Sequence, residues 1–506
     1  MLDRRELIEE LGVDPNDNNG SLPREASIVG QQQASAQLRR RAIVVGAGIT
    51  GLAAAWQLAA AGVDVLVLEA TRRVGGMATT FRYKDWLLDL GPHKFFSVME
   101  DRMRMVEEIM GPEDFLTVPK RSRIRLAGRF LNYPIGLLDV MKNLSPFIAV
   151  SGGLSYFLQL VRNVFERRPD LSYEDWLVRR FGRKLYELIF AAYARKIWGD
   201  PRTLARELAE TRVAIPGLLP LLWHMLVTRG QGRVIHAETF RYPKLGSGEF
   251  SRRLAELAMQ NGGKIQYGSP IAGIGVKNGT VSELHTGDGQ IIPVSPDVSV
   301  VTTVPVGYLV SLVEPEPPPN VLQAARDLIA RHLILLYVLL DKPSVSDDTW
   351  LFFPETKYIF TRVFEQKNFS PYMTPKDKTC LCLEIVVSDP KLWKADDAML
   401  FESAIAGLEE TGLAQRSQVI EYFTRRTKWT YPVYDLNYKE NTATVLNCLD
   451  SISNLYSVGR QGGFNYVGQI DCLDIGAVTA EHILKWGDKS HWSEARQQFA
   501  NYIVLD

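Results

Sequence analysis

The chain has 506 residues, more than one ordinary core holds, so two domains or one large interrupted domain are expected. A hydrophobic fraction of 46% with 23% charged residues is that of a globular protein, and 58 basic residues balance 58 acidic ones, which excludes a global field for nucleic acid or an anionic membrane. Four cysteines are too few for a disulfide framework; Cys380 and Cys382 share a predicted strand as core residues, and no metal-ligand cluster is legible.

Residues 1–40 read as a flexible N-terminal extension, rich in Asn, Gln, Ser, Pro and Gly after a short amphipathic stretch at Arg4–Leu11. The charged N-terminus shows no signal peptide, and with the low cysteine count this points to the cytoplasm. Arg41–Gly76 follows. Ile43–Val45 is an apolar, β-branched run that suits a strand buried on both faces, and Gly46, Gly48 and Gly51 come next as G-x-G-x-x-G. An Ala/Leu-rich helix is predicted to about Ala61, then a second strand, Val63–Leu68, ending on Glu69. In a dinucleotide site Gly46 makes the tight turn, Gly48 admits the pyrophosphate, and Gly51 lets helix and strand close up. The bare helix N-terminus offers N–H donors, and Glu69 accepts from the ribose hydroxyls, disfavouring NADP.

Arg73-Val74-Gly75-Gly76 continues the motif, its glycine pair passing near the phosphates with Arg73 as a nearby cation. This E-x-x-x-R-x-G-G signature resembles FAD-binding members of the amine oxidase, phytoene desaturase and UDP-galactopyranose mutase superfamily. The resemblance implies FAD as cofactor and an α/β fold: a Rossmann-type FAD-binding domain with an inserted α+β substrate domain.

Further along, Phe81–Leu90 reads as a hairpin that ends in the turn Asp89-Leu90-Gly91-Pro92-His93, and in the mutase-like relatives a matching turn carries its His to the flavin. Helices are predicted at Arg102–Ile109, Tyr173–Arg180, Lys184–Tyr193 and Thr203–Ala209, and Asn132-Tyr133-Pro134 marks a break between a hairpin and the helical region. The uncharged Asn143–Val161 and the short apolar Val213–Thr228 suit buried or interfacial helices better than membrane spans, with peripheral contact near the substrate entrance as the alternative. Residues 231–305 return to α/β character: a helix at Phe250–Asn261, short strands over Ile265–Val306, and a last strand at Val298–Val306. Strands dominate His332–Val387, and a helix follows at Ala398–Thr411. Near the end an apolar strand from Leu455 runs into a glycine turn at Gly459, then a helix over Cys472–Leu484. This aims a helix N-terminus at the flavin, with Gln469, Ile470 and Asp471 leading into it and Arg460 as the cation for the pyrophosphate. The cofactor domain is expected at 41–125, 231–305 and 425–485, the substrate domain at 126–230 and 306–424, and a tail at 486–506.

Several stretches resemble the mutases more closely. Ala192–Gly199 is similar to their K-V-W segment and Glu210–Ala214 to their E-R-V-A stretch; Thr349–Glu355, Phe360–Arg362 and Asn368–Tyr372 look like W-L-Y-F-P-E, F-Y-R and N-Y-S-P-Y; Tyr431–Tyr434 and Gly459–Asp471 resemble the ending. The likeness implies interconversion of ring forms of a nucleotide-linked sugar through reduced flavin N5, with NAD(P)H as a possible reductant. It assigns Arg212 and Arg362 to a substrate diphosphate, Tyr431 and Tyr466 as hydroxyl donors, and Trp198 as a wall of the sugar or uridine pocket. The strand before Thr349, His332–Leu340, carries no arginine where the mutases have a second one; Lys342 is the nearby cation. Two rival readings stand: an oxidoreductase of the amine oxidase or protoporphyrinogen oxidase type that transfers hydride to flavin, and a flavin-binding protein without turnover.

Overall fold

A computed structural model of the chain describes residues 40–133, 146–165, 169–212 and 238–502. The expectations for residues 1–39, including Arg4–Leu11, and for Val213–Thr228 lie outside the described residues.

Alternation of apolar strands with helices produces a five-stranded parallel sheet in the order Leu455–Ser457, Ser299–Thr302, Arg41–Val45, Asp64–Leu68, Lys264–Gln266. The sheet itself joins the two glycine turns, although they lie at opposite ends of the chain: Thr302 pairs with Ser457 on one side and with Val45 on the other. Ala and Gly on the helix Ile49–Ala60 let it sink between the helices Gly248–Gln260 and Gln469–Lys485; Leu52, Ala53, Ala54, Ala55 and Leu58 have no exposed surface. A Cβ at Gly51 would lie 2.0 Å from Gly46 O, so only glycine permits this closeness of helix and strand.

A seven-stranded sheet forms the second layer, ordered Val419–Pro432, Ala330–Leu340, Thr379–Val387, Arg362–Glu365, Trp350–Phe352, Ser122–Leu126, Arg129–Asn132. Its outer face packs on the helix Asp397–Thr411 through Phe401, Ile405 and Leu408. The expected domain boundaries at 125 and 425 fall inside strands of this sheet, because Ser122–Leu126 and Val419–Pro432 continue its hydrogen bonding. The strand Val419–Pro432 and the helix Tyr438–Asp450 have no counterpart among the predicted elements.

The helical layer differs in detail from expectation. Lys184–Tyr193 lies within a continuous helical run, in which Arg183–Tyr186 and Ala192–Ile197 flank a π turn over Glu187–Ala191. The helix expected at Thr203–Ala209 runs instead over Arg206–Arg212, and that expected at Cys472–Leu484 starts at Gln469. The last predicted strand of the cofactor sheet is shorter, Ser299–Thr302, and Val306 already begins a helix. Residues expected as a tail are packed down: Trp492 is buried against Tyr456 and donates its Nε1–H to Asp450 Oδ1 at 3.0 Å. Among the described residues no helix is long and apolar enough to cross a membrane.

Candidate active site

Between the two layers lies a cavity of about 730 Å³, within the usual size of cofactor and ligand sites. One end is built mostly from backbone. Gly46 holds φ +103, and the chain leaves it through extended Gly48 into the helix at Ile49, so the first N–H groups of that helix open on the cavity. Glu69 at the end of the next strand is buried; its Oε2 accepts from Ala47 N and its Oε1 from Thr71 N, both at 2.8 Å. Burial pushes the Glu69 pKa up, while those two backbone bonds favour the carboxylate. Gly75 and Gly76 line the same wall.

The second helix N-terminus, at Gln469–Asp471, closes this end from the other side. Gln469 presents a side-chain amide whose nitrogen and oxygen both lack a partner among the described residues while buried in the cavity wall. Asp471 is held back, its Oδ2 accepting from Gly468 N at 2.7 Å, and burial raises its pKa. Gly459 does not line the cavity; it holds φ +87, and a Cβ there would lie 3.0 Å from Thr50 Oγ1, so it sets the spacing of the two turns. Arg73 and Gly51 do not line it either. Arg460 does, but its guanidinium donates to Thr430 O, at 3.3 and 3.1 Å, and to Val467 O, tying strand to turn instead of standing free as the sequence suggests.

His93 faces the middle of the cavity. Its Nε2 lies 2.8 Å from Met77 O and 3.2 Å from Leu90 O; two carbonyl acceptors place the proton on Nε2. Burial lowers its pKa to about 4, with the carbonyl bonds opposing and Arg460 and Arg362 adding to the fall, so the ring is neutral near pH 7.

The other end is built from side chains. Arg362 lies against Glu384 in a fork: Nε to Oε2 at 2.9 Å and Nη2 to Oε1 at 2.7 Å. Tyr431 OH stands 3.4 Å from both Arg362 Nη2 and Glu384 Oε2. Burial opposes the charge on Arg362, but Glu384 outweighs it and keeps the guanidinium firmly protonated; burial and Glu384 hold Tyr431 as the neutral phenol. The Tyr431 and Tyr466 rings are parallel, 6.0 Å apart, and the Arg212 guanidinium sits 5.0 Å from the Tyr466 ring centre. Trp198 does not line the cavity. It is buried behind Tyr466, with ring centres 6.5 Å apart.

The sequence model of the family described as flavin containing amine oxidoreductase matches residues 49–445. The chain belongs to this family. Its cofactor is FAD, and the site fits that group: two helix N-termini face one cavity, an acid ends the second strand, and an unpartnered amide lies between.

Among curated relatives, an L-amino-acid oxidase from Crotalus adamanteus is 57% identical over 53 residues, 10% of this chain and 10% of that protein. A coproporphyrinogen III oxidase from Propionibacterium freudenreichii subsp. freudenreichii is 34% identical over 113 residues, 22% of this chain and 21% of that protein. The chain thus matches only about a tenth of the length of the L-amino-acid oxidases. Among solved structures, a reduced UDP-galactopyranose mutase aligns at TM-score 0.78 and 20% identity over 92% of this chain and 100% of that one. A triple mutant of putrescine oxidase aligns at 0.60 and 16% over 88% and 99%. At these identities the structures carry the fold.

This member of the family holds cavity residues that the motifs do not point to. Glu384 is the clearest. It is the one acid in the otherwise apolar T-C-L-C-L-E-I-V-V strand, on the same face as Cys380 and Cys382, and that isolated acid was the signal. Gln498, Asn501 and Tyr502 reach the cavity from the C-terminal segment and carry no motif at all. The strand before Thr349 begins at Ala330 and so includes Arg331. That arginine donates from Nη2 to Trp198 O at 2.6 Å and does not line the cavity.

Proposed function

We propose that this flavin-dependent enzyme interconverts ring forms of a nucleotide-linked or related sugar, with Arg212, Arg362, Tyr431 and Tyr466 on the substrate. The observation that carries this reading is their convergence: four residues from segments similar to mutase motifs gather at one end of one cavity, beyond His93 from the glycine turns. Bound there, FAD supplies an N5 that is nucleophilic toward carbon when reduced and accepts hydride when oxidised. The protein's own groups bind and orient. Arg212 pairs with an anionic group of the substrate, Tyr431 and Tyr466 donate hydroxyl hydrogen bonds, and neutral His93 keeps positive charge away from the middle of the cavity.

One observation favours the rival oxidoreductase reading. Glu384 already satisfies Arg362 in two directions, so of that pair little charge is left for a diphosphate, and a substrate with a single negative charge suits Arg212 alone. The two readings separate in one assay. Chemically reduced enzyme is supplied with UDP-galactopyranose and other nucleotide sugars under nitrogen, and ring forms are resolved by chromatography. Conversion by reduced enzyme, none by oxidised enzyme and no oxidant consumed is the expected result. Turnover that bleaches oxidised enzyme and releases peroxide on re-oxidation, with no ring conversion, overturns the proposal in favour of the rival.

A further inference from the structure

The helix Pro146–Phe165 is amphipathic in the reverse sense. The side it turns to the protein is largely small or polar, and its polar groups form hydrogen bonds. Ser155 Oγ accepts from Lys184 N at 3.2 Å, Gln159 donates to Asn163 Oδ1 at 2.9 Å, and Asn163 donates to Arg179 O at 2.9 Å. Contact there is close: a Cβ at Gly152 would lie 3.0 Å from Leu185 Cδ2, and one at Gly182 would lie 2.8 Å from Tyr156 Cα. The outer side is apolar. Phe147, Val150, Leu154, Phe157, Val164 and Phe165 are each between 58% and 80% exposed, and their spacing keeps them on one stripe. At 1.5 Å per residue the stripe runs about 30 Å, far longer than the scattered exposed apolar residues of an ordinary surface.

We propose that this face docks into the interfacial layer of an anionic lipid bilayer, with the helix lying along the surface. Three features select lipid over a protein partner. Among the described residues of the outer stripe, polar side chains are confined to one edge, at Ser151 and Arg162, whereas protein interfaces set polar groups around an apolar centre to fix register; acyl chains ask for no such partners. The helix carries no Asp or Glu, while Arg162 in its last turn and Lys184 beside Ser155 are exposed with side chains that have no partner among the described residues, which complements anionic headgroups. Its glycines, serines and Gln159 also leave it too polar for a membrane-crossing helix, so it lies on the bilayer.

The test is flotation of the flavin-loaded, full-length protein with vesicles of phosphatidylcholine, alone or mixed with phosphatidylglycerol. The protein is expected to float with the mixed vesicles and less with phosphatidylcholine alone, and added salt should weaken the difference. The double substitution Leu154→Ser and Phe157→Ser should cut the bound fraction by roughly tenfold while bound flavin and melting temperature stay unchanged. The single substitution Phe157→Trp provides a reading that does not depend on that double variant's folding, since the added indole emission should shift to the blue on mixed vesicles. Protein that stays in the buffer with both vesicle types, together with an unmoved emission from the Phe157→Trp variant, overturns the proposal. A vesicle-free dimer that the serine substitutions convert to monomer overturns it too, and assigns the face to a second copy of the chain.

Discussion

At one end of the cavity the ligand meets backbone: helix N-termini at Ile49 and Gln469, a turn at Gly46 with φ +103, and two buried acids, Glu69 and Asp471. At the other end it meets side chains: Arg212 over Tyr466, and Arg362 forked onto Glu384 beneath Tyr431. The first end depends on the path of the chain and tolerates little change of path. The second depends on charges brought from strands and helices far apart in sequence, and one substitution can remove it without disturbing the fold. The two ends therefore should fail in different ways.

Gly51→Val should have the largest effect. Its Cβ would enter the backbone at Gly46 O, so the helix must back away from the sheet, at a cost of about 3 kcal/mol or more. Loss of bound flavin absorbance together with a lower melting temperature is expected, and a variant that keeps full flavin content would show that the cofactor end is not set by this contact. Glu384→Ala comes next. It strands the Arg362 guanidinium, which costs about 3 kcal/mol, and turnover should collapse while FAD stays bound, since no cofactor-end residue is touched. Flavin loss in that variant would erase the distinction between the two ends. Arg212→Ala should raise KM by about tenfold to a hundredfold, equivalent to about 2 kcal/mol, at constant flavin content.

The smallest effect concerns His93, which stands between the ends. Unfolded, a histidine takes its proton near pH 6.5, whereas burial holds His93 at about 4 in the folded protein. The unfolded chain therefore binds the proton first, and stability is lost as pH falls from about 6.5 to about 4. Because the ring borders the cavity, the loss should be about 1 kcal/mol, read as a steeper acid decline in melting temperature than in His93→Asn. Equal slopes would show that the ring is hydrated in the folded state.

Much of the cofactor end was legible because its physics is local. Gly46, Gly48, Gly51 and Glu69 act through turn, helix and strand within one βαβ unit, and the spacing alone places them. The substrate end was less legible because its partners are nonlocal. Arg362 could be named from F-T-R, but that Glu384 neutralises it depends on antiparallel pairing of two strands across a hairpin. Arg460 looked like a phosphate cation in its glycine turn, and only the long strand reaching Thr430 shows its donors turned to carbonyls. The domain limits at 125 and 425 fall within strands, because strands of one sheet are contributed by both assigned parts, and that pairing is nonlocal. The uncharged stretch Asn143–Val161 suits a buried or interfacial helix, but which side of the helix Pro146–Phe165 meets protein is decided by tertiary contacts at Leu185 and Arg179.

Recognition of a sugar-type anion at the side-chain end, for chemistry that leaves the flavin's oxidation state unchanged, underlies the whole functional reading. Its sharpest test is an anaerobic record of the flavin spectrum on adding a nucleotide sugar, once to the oxidised and once to the reduced protein. No bleaching is expected in the first case. In the second, the spectrum should return to that of the reduced flavin after many turnovers have produced the other ring form. Stoichiometric bleaching of the oxidised protein by substrate would contradict this.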